Sequence, residues 1–127
     1  MAKEFLNPDG VHKPTGYSHA ARVGNLIFVA GQVSVDESGN LIGPGDAAAQ
    51  AEQVFRNLER VLAGCGARMA DIVKMNVFLT DARHLPALRE VRQRYLSDHT
   101  PTSTVVQVVA LARPELLMEI EVVAAVD

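Results

Sequence analysis

The chain has 127 residues, enough for one domain with one core and too few for two, so mechanisms that need a second domain are excluded. Hydrophobic residues make up 48% and charged residues 21%, a globular balance that excludes extensive disorder, and no apolar run approaches the ~20 residues that cross a bilayer. The net charge of -3 argues against a broad electrostatic grip on phosphates, and hence against nucleic acid as a partner.

Met1 to Gly16 contains Asn7-Pro8-Asp9-Gly10 and Lys13-Pro14-Thr15-Gly16, turn chemistry without apolar periodicity, and is expected to be a loop lying on the domain. Its first four residues lack the basic and apolar regions of a secretion signal, so a cytoplasmic protein is expected. Tyr17 to Val23 and Leu26 to Ala30 read as two short strands of a hairpin broken near Gly24. Gln32 to Val35 and Leu41-Ile42 flank a polar turn, and Gly43-Pro44-Gly45 closes this all-β opening.

Asp46 can accept a hydrogen bond from a free first-turn amide, and Gly66 marks a stop, so a helix is predicted between them. Its apolar stripe is Ala47, Ala51, Val54, Phe55, Leu58, Val61, Leu62 and Cys65; Gln50, Glu52, Gln53, Arg56, Asn57, Glu59 and Arg60 are expected on the wet side. Cys65 is therefore packing, not a nucleophile. A lone cysteine forms no internal disulfide, and His12, His19, His84 and His99 lack metal-ligand spacing, so neither a metal nor another cofactor is expected.

Ile72 to Leu79 reads as a strand with Val73, Met75, Val77 and Leu79 inward and Lys74 and Asn76 outward. Thr80-Asp81 offers caps for a second helix carrying Leu85, Leu88, Val91, Tyr95 and Leu96, with Pro86 in its first turn. The basic cluster Arg83, His84, Arg89, Arg92 and Arg94 reads as its solvated face. Thr104 to Val109 is a β-branched run too apolar for an exposed edge, and a central strand is expected. In the last strand Met118, Ile120, Val122 and Ala124 share one face; Leu117, Glu119, Glu121 and Val123 share the other.

The result is a single α+β domain over residues 1–127, two helices covering one face of a mixed sheet. The uncovered face, assigned Asn76, Gln107, Glu119 and Glu121 among Val105, Val109 and Leu117, is too apolar for water and too polar for a core. A second subunit is its economical cover.

Along nearly the whole chain the motifs resemble the YjgF/RidA, or L-PSP, family. The residues that carry the resemblance are Gly16-Tyr17-Ser18, Ala30-Gly31-Gln32, Ala48-Ala49-Gln50-Ala51, Asn57-Leu58, Asp71-Ile72-Val73-Lys74, Val77-Phe78-Leu79-Thr80-Asp81, Pro101 and Met118-Glu119-Ile120-Glu121. The resemblance implies a chorismate-mutase-like fold with a six-stranded sheet, a homotrimeric barrel, and small-molecule clefts between subunits. It also implies hydrolysis of enamines and imines to keto compounds and ammonia. Such chemistry needs a cation for a substrate carboxylate, a group that directs water, and a wall that positions the imine.

By resemblance, Glu121 takes the place of the water-directing glutamate and Tyr17 that of a cleft tyrosine; His19, close by, has the ordinary pKa suited to proton transfer near neutrality. Substrate contacts are expected from Ala30, Gly31, Ser103, Val105 and Gln107. The sequence departs from the family at three of these: Ser103 replaces the arginine two residues after the proline, Ala30 a serine, and Val105 a cysteine. Arg89 aligns with a cleft-side asparagine and is a candidate replacement cation. The departures point to a substrate other than the 2-aminoacrylate type. Two further readings are a trimeric small-molecule-binding protein without turnover and a ribonuclease or translation inhibitor; the acidic balance and scarce aromatic residues oppose the latter.

Overall fold

The computed structural model describes residues 2–127. Eight main elements follow in order: β1 (Lys3–Leu6), β2 (Ala20–Val23), β3 (Leu26–Gln32), α1 (Ala47–Gly64), β4 (Ile72–Leu79), α2 (Leu85–Leu96), β5 (Thr102–Gln107) and β6 (Met118–Ala125). The sheet order is β1-β2-β3-β6-β4-β5, antiparallel except for the β4–β5 pair. No helix among the described residues is long and apolar enough to cross a membrane.

The β2–β3 hairpin turns at Gly24, whose φ of 61° suits a residue without Cβ. Asp46 caps α1 as expected, its side chain accepting from the Ala49 amide. The α1 stripe and Leu88, Val91 and Leu96 of α2 bury Ile27, Val29, Met75, Val77, Leu79, Ile120 and Val122 on one sheet face. Phe55 and Tyr95 stack between the helices with centroids 5.5 Å apart. Cys65 is buried, and burial pushes its thiol pKa up.

Several expectations are corrected. The N-terminal loop contains β1, which pairs with β2 at the sheet edge; its alternation is too short to show in four residues. The predicted strand material around Val35 and Leu41 forms only an isolated bridge. Gln50, Gln53 and Asn57 are buried instead of wet, because the segments after β3 and before β6 fold over α1. Gln50 bonds to Gly43, Glu115 and Leu117 of the main chain, and Asn57 donates to the Val33 and Val35 carbonyls.

In β4 a register shift between Ile72 and Lys74 turns Val73 outward and puts Ile72 in the core. Asp81 caps not α2 but a 3-10 turn, Ala82–His84, ahead of it. The central position expected for Thr104–Val109 is also wrong: β5 is an edge strand, begins at Thr102, and is exposed throughout. A run that is β-branched on both faces carries little alternation, so the apolar character that suggested burial within the chain leaves an apolar edge instead.

Candidate functional site

The sheet face away from the helices carries Phe5, Leu26, Phe28, Lys74, Asn76, Phe78, Thr104, Val106, Glu119 and Glu121, as the strand register dictates. Phe5 is 67%, Phe28 44% and Val106 42% exposed, an apolar surface that water covers poorly. The register also corrects the expected membership of this face. Ser103, Val105 and Gln107 pair with Met75, Val77 and Leu79 and so lie on the helix side, at the free edge; Val109 lies beyond the strand.

The polar centre of the open face is built by an irregularity. Between the pairs Val29–Val122 and Gln32–Ile120, Ala30 and Gly31 of β3 stand opposite Glu121 alone, a bulge that re-aims the strand. An added Cβ on Gly31 would stand 2.6 Å from Cδ and 2.8 Å from Cγ of Glu119, so the glycine is needed for space, not for its backbone angle. Glu119 fills that notch. Its pKa is raised, first by burial and then by the Glu121 carboxylate.

Tyr17 stands beside it. Burial and the Glu119 charge both raise the Tyr17 pKa, so the phenol keeps its proton at neutral pH. Tyr17 Oη and His12 Nε2 are hydrogen-bonded at 2.9 Å, and burial, followed by His19, lowers the His12 pKa. Beneath them His19 is fully buried. Its Nε2 donates to the His12 carbonyl at 2.7 Å; its Nδ1 accepts from Gln32 Nε2 at 3.1 Å, and Gln32 also donates to the Ala30 carbonyl. This network assigns the Nε2–H tautomer and leaves neither ring nitrogen free.

The structure thus brings together Tyr17, Gly31 and Ala30, but around Glu119 more than around Glu121. Glu121 lies one step along β6, accepts from Asn76 Nδ2 at 3.1 Å, and borders a cavity of about 160 Å³ with Phe28, Lys74 and Asn76. His19 acts as a support under Tyr17. Ser103 opens into a separate cavity of about 190 Å³ beneath α2, and Gln107 is committed, its Oε1 accepting from the Ala82 amide at 2.8 Å. Arg89 lies on the outer helix layer with Ala48, Pro86 and Glu90, on the far side of the sheet from Glu119. Sequence reading passed over His12 and Gln32. Gln32 was visible as the end of the Ala30-Gly31-Gln32 motif, whereas the place of His12 follows only from the loop's path.

A bulged strand, a glycine that admits a carboxyl, and a neighbouring protonated phenol define a small α+β domain with a polar notch set in an uncovered sheet face. Residues 10–126 match the family described as Endoribonuclease L-PSP, and the chain belongs to that family, the YjgF/RidA proteins. It is 33% identical over 127 residues to the 3-aminoacrylate deaminase RutC of Acinetobacter baylyi, covering 99% of this chain and all of that protein. It is 30% identical over 126 residues to the 2-iminobutanoate/2-iminopropanoate deaminase of Dermatophagoides farinae, covering 98% of each. The crystal structure of E. coli TdcF with bound serine superposes with a TM-score of 0.86 at 27% identity, covering 97% of this chain and 98% of that one.

Proposed function

We propose that the protein is an enamine/imine deaminase that works in a cleft completed by further copies of the chain in a homotrimer. The observation that carries this is the half-buried Glu119 carboxyl, seated in the space Gly31 leaves and flanked by the Tyr17 phenol. The exposed apolar face supports the assembly, and the deaminase names of two relatives support the reaction class.

The chemistry follows from those groups. Ionised Glu119 accepts a proton from a water molecule as the water oxygen bonds to the carbon of a protonated C=N group. Glu119 returns that proton to the nitrogen of the resulting carbinolamine; the C–N bond then breaks, the hydroxyl passes its proton to the Glu119 carboxylate, and ammonia leaves as the C=O bond forms. A carboxylic acid whose pKa is raised towards neutrality takes up and returns that proton more readily than an ordinary one. Tyr17, still protonated, donates a hydrogen bond to the oxygen added by water. Glu121, tied to Asn76, sets the local field, and His19 keeps Tyr17 and Ala30 in register.

Ser103 brings no charge to β5, and a neutral hydroxyl does not replace a forked guanidinium at a carboxylate. The substrate is therefore a small reactive nitrogen compound other than the 2-aminoacrylate type, such as an enamine acid whose carboxylate is one carbon further from the reacting carbon. The same observation favours a second reading, a trimeric binding protein that holds such a metabolite without turning it over.

Imines generated in place from neutral, acidic and aromatic amino acids by an amino-acid oxidase, and a 3-aminoacrylate-type enamine, provide the test. Faster loss than in buffer, abolished in Glu119→Gln, is the expected result. Loss at the buffer rate for every compound rejects the hydrolase reading, and ligand-dependent thermal stabilisation without product then identifies the binding protein.

A further inference from the structure

We propose that the cavity between the second half of α2 and the start of β5 is a binding site for a small monocarboxylate, with Arg92 as its cation. The site lies on the helix side of the sheet, away from Glu119, and the proposal does not depend on hydrolysis. The cavity, about 190 Å³, is bordered by Met75, Arg92, Leu96, Thr100, Pro101 and Ser103, among others.

Arg92 is the only positively charged side chain in that lining that is cationic at every accessible pH. It is partly buried, yet among the described residues it makes no ion pair and no side-chain hydrogen bond. On the same helix Arg94 pairs with Glu52, whereas Arg89, also without an ion pair, is exposed on the outer layer and does not border this cavity. A guanidinium that borders the cavity and holds no partner in the protein is open to a ligand, and an incoming carboxylate would supply two parallel acceptors. The hydroxyls of Ser103 and Thr100 stand in the same wall as additional donors. The His99 ring is already fixed, its Nε2 donating to the Ile72 carbonyl at 2.7 Å.

The rest of the lining selects the ligand class. Met75 is fully buried and Leu96 nearly so, and with Pro101 they form an apolar floor suited to a short hydrocarbon tail. The C-terminal end of α2, where helix carbonyls carry partial negative charge, opposes a compact, highly charged anion such as phosphate. The volume is below the roughly 300–1,000 Å³ of pockets for drug-sized molecules, which limits the occupant to a few heavy atoms. A guanidinium thus enters the neighbourhood of Ser103 from the helix, where the strand itself supplies none.

The test is a titration of the full-length, 15N-labelled protein, followed by amide NMR, with butanoate, its neutral counterpart butanamide, and inorganic phosphate. Butanoate should shift the amides of Ser97 to Thr100, Thr102 and Ser103 saturably, while butanamide and phosphate bind at least tenfold more weakly. Arg92→Gln should weaken butanoate binding by roughly tenfold or more, the loss of one charge-assisted pair. Arg92→Lys, which keeps the charge but not the fork, should fall between and provides a second reading if the glutamine variant aggregates. Equal binding of butanamide or of phosphate, unchanged affinity in both variants, or no saturable shift in the parent protein would overturn the proposal. Imine turnover enters none of these readouts.

Discussion

Gly31 of β3 and Glu119 of β6 share one volume: the carboxyl of the second lies where the side chain of any residue other than glycine would begin at the first. Gly31→Ala should therefore displace Glu119 along its whole side chain, not just at its tip. Overpacking of this kind costs about 1–3 kcal/mol when the neighbour resists, and less here because the glutamate can swing outward. The expected outcome is a small change in thermal midpoint with a loss of imine turnover of tenfold or more, measured as kcat/KM.

The two carboxylates of β6 should separate cleanly. Glu119→Gln is expected to reduce turnover by ~10² to 10⁴, the range of a lost general base, while Glu121→Gln retains most of it. Because Glu119 must be ionised to act, activity should rise with pH through an apparent pKa above the usual carboxyl range. Glu121→Gln should move that midpoint downward, since the Glu121 charge is one cause of the shift. Rate profiles of the three proteins check this.

Stability carries the opposite sign. A carboxyl whose folded pKa exceeds its unfolded value favours the folded state below the unfolded pKa, and that contribution is lost as pH rises through the folded pKa. Glu119→Gln should then unfold at a higher temperature than the parent at neutral pH. The difference should close as pH falls below the ordinary carboxyl range, as calorimetric scans at several pH values would show.

His19 should behave as a structural residue. His19→Phe leaves the His12 carbonyl without its donor and one of the two Gln32 Nε2 hydrogens without an acceptor, since the other still goes to the Ala30 carbonyl, at about 1–3 kcal/mol for each unsatisfied group. Denaturant unfolding should register the loss directly, and activity should fall only as far as Tyr17 is displaced.

Charge on the open sheet face should break the proposed assembly. Phe28→Glu leaves the helix-side core untouched, so the protomer should remain folded but sediment near 13.7 kDa, with loss of turnover. The parent should sediment at about three times that mass. Arg89→Ala, by contrast, should alter neither mass nor ligand affinity, because Arg89 stands on the outer helix layer.

Much of this protein is readable in one dimension. Local periodicity and capping chemistry are short-range properties, so α1 from Asp46 onward, α2 with Pro86 in its first turn, and the alternation of β6 follow from the sequence alone. Tyr17 and Gly31 were likewise legible through motifs. What depends on the pairing of distant segments was not. The bulge at Ala30-Gly31 decides that the glycine meets Glu119 and not Glu121; the β4–β5 register decides that Ser103 and Gln107 turn to the helix side; the return of the N-terminal loop decides that His12 meets Tyr17. One residue of slip in a strand exchanges its two faces, and no local pattern in a β-branched run records which face was chosen. Composition and periodicity thus determined the layers, whereas tertiary contacts alone determined which side chains came to lie together within them.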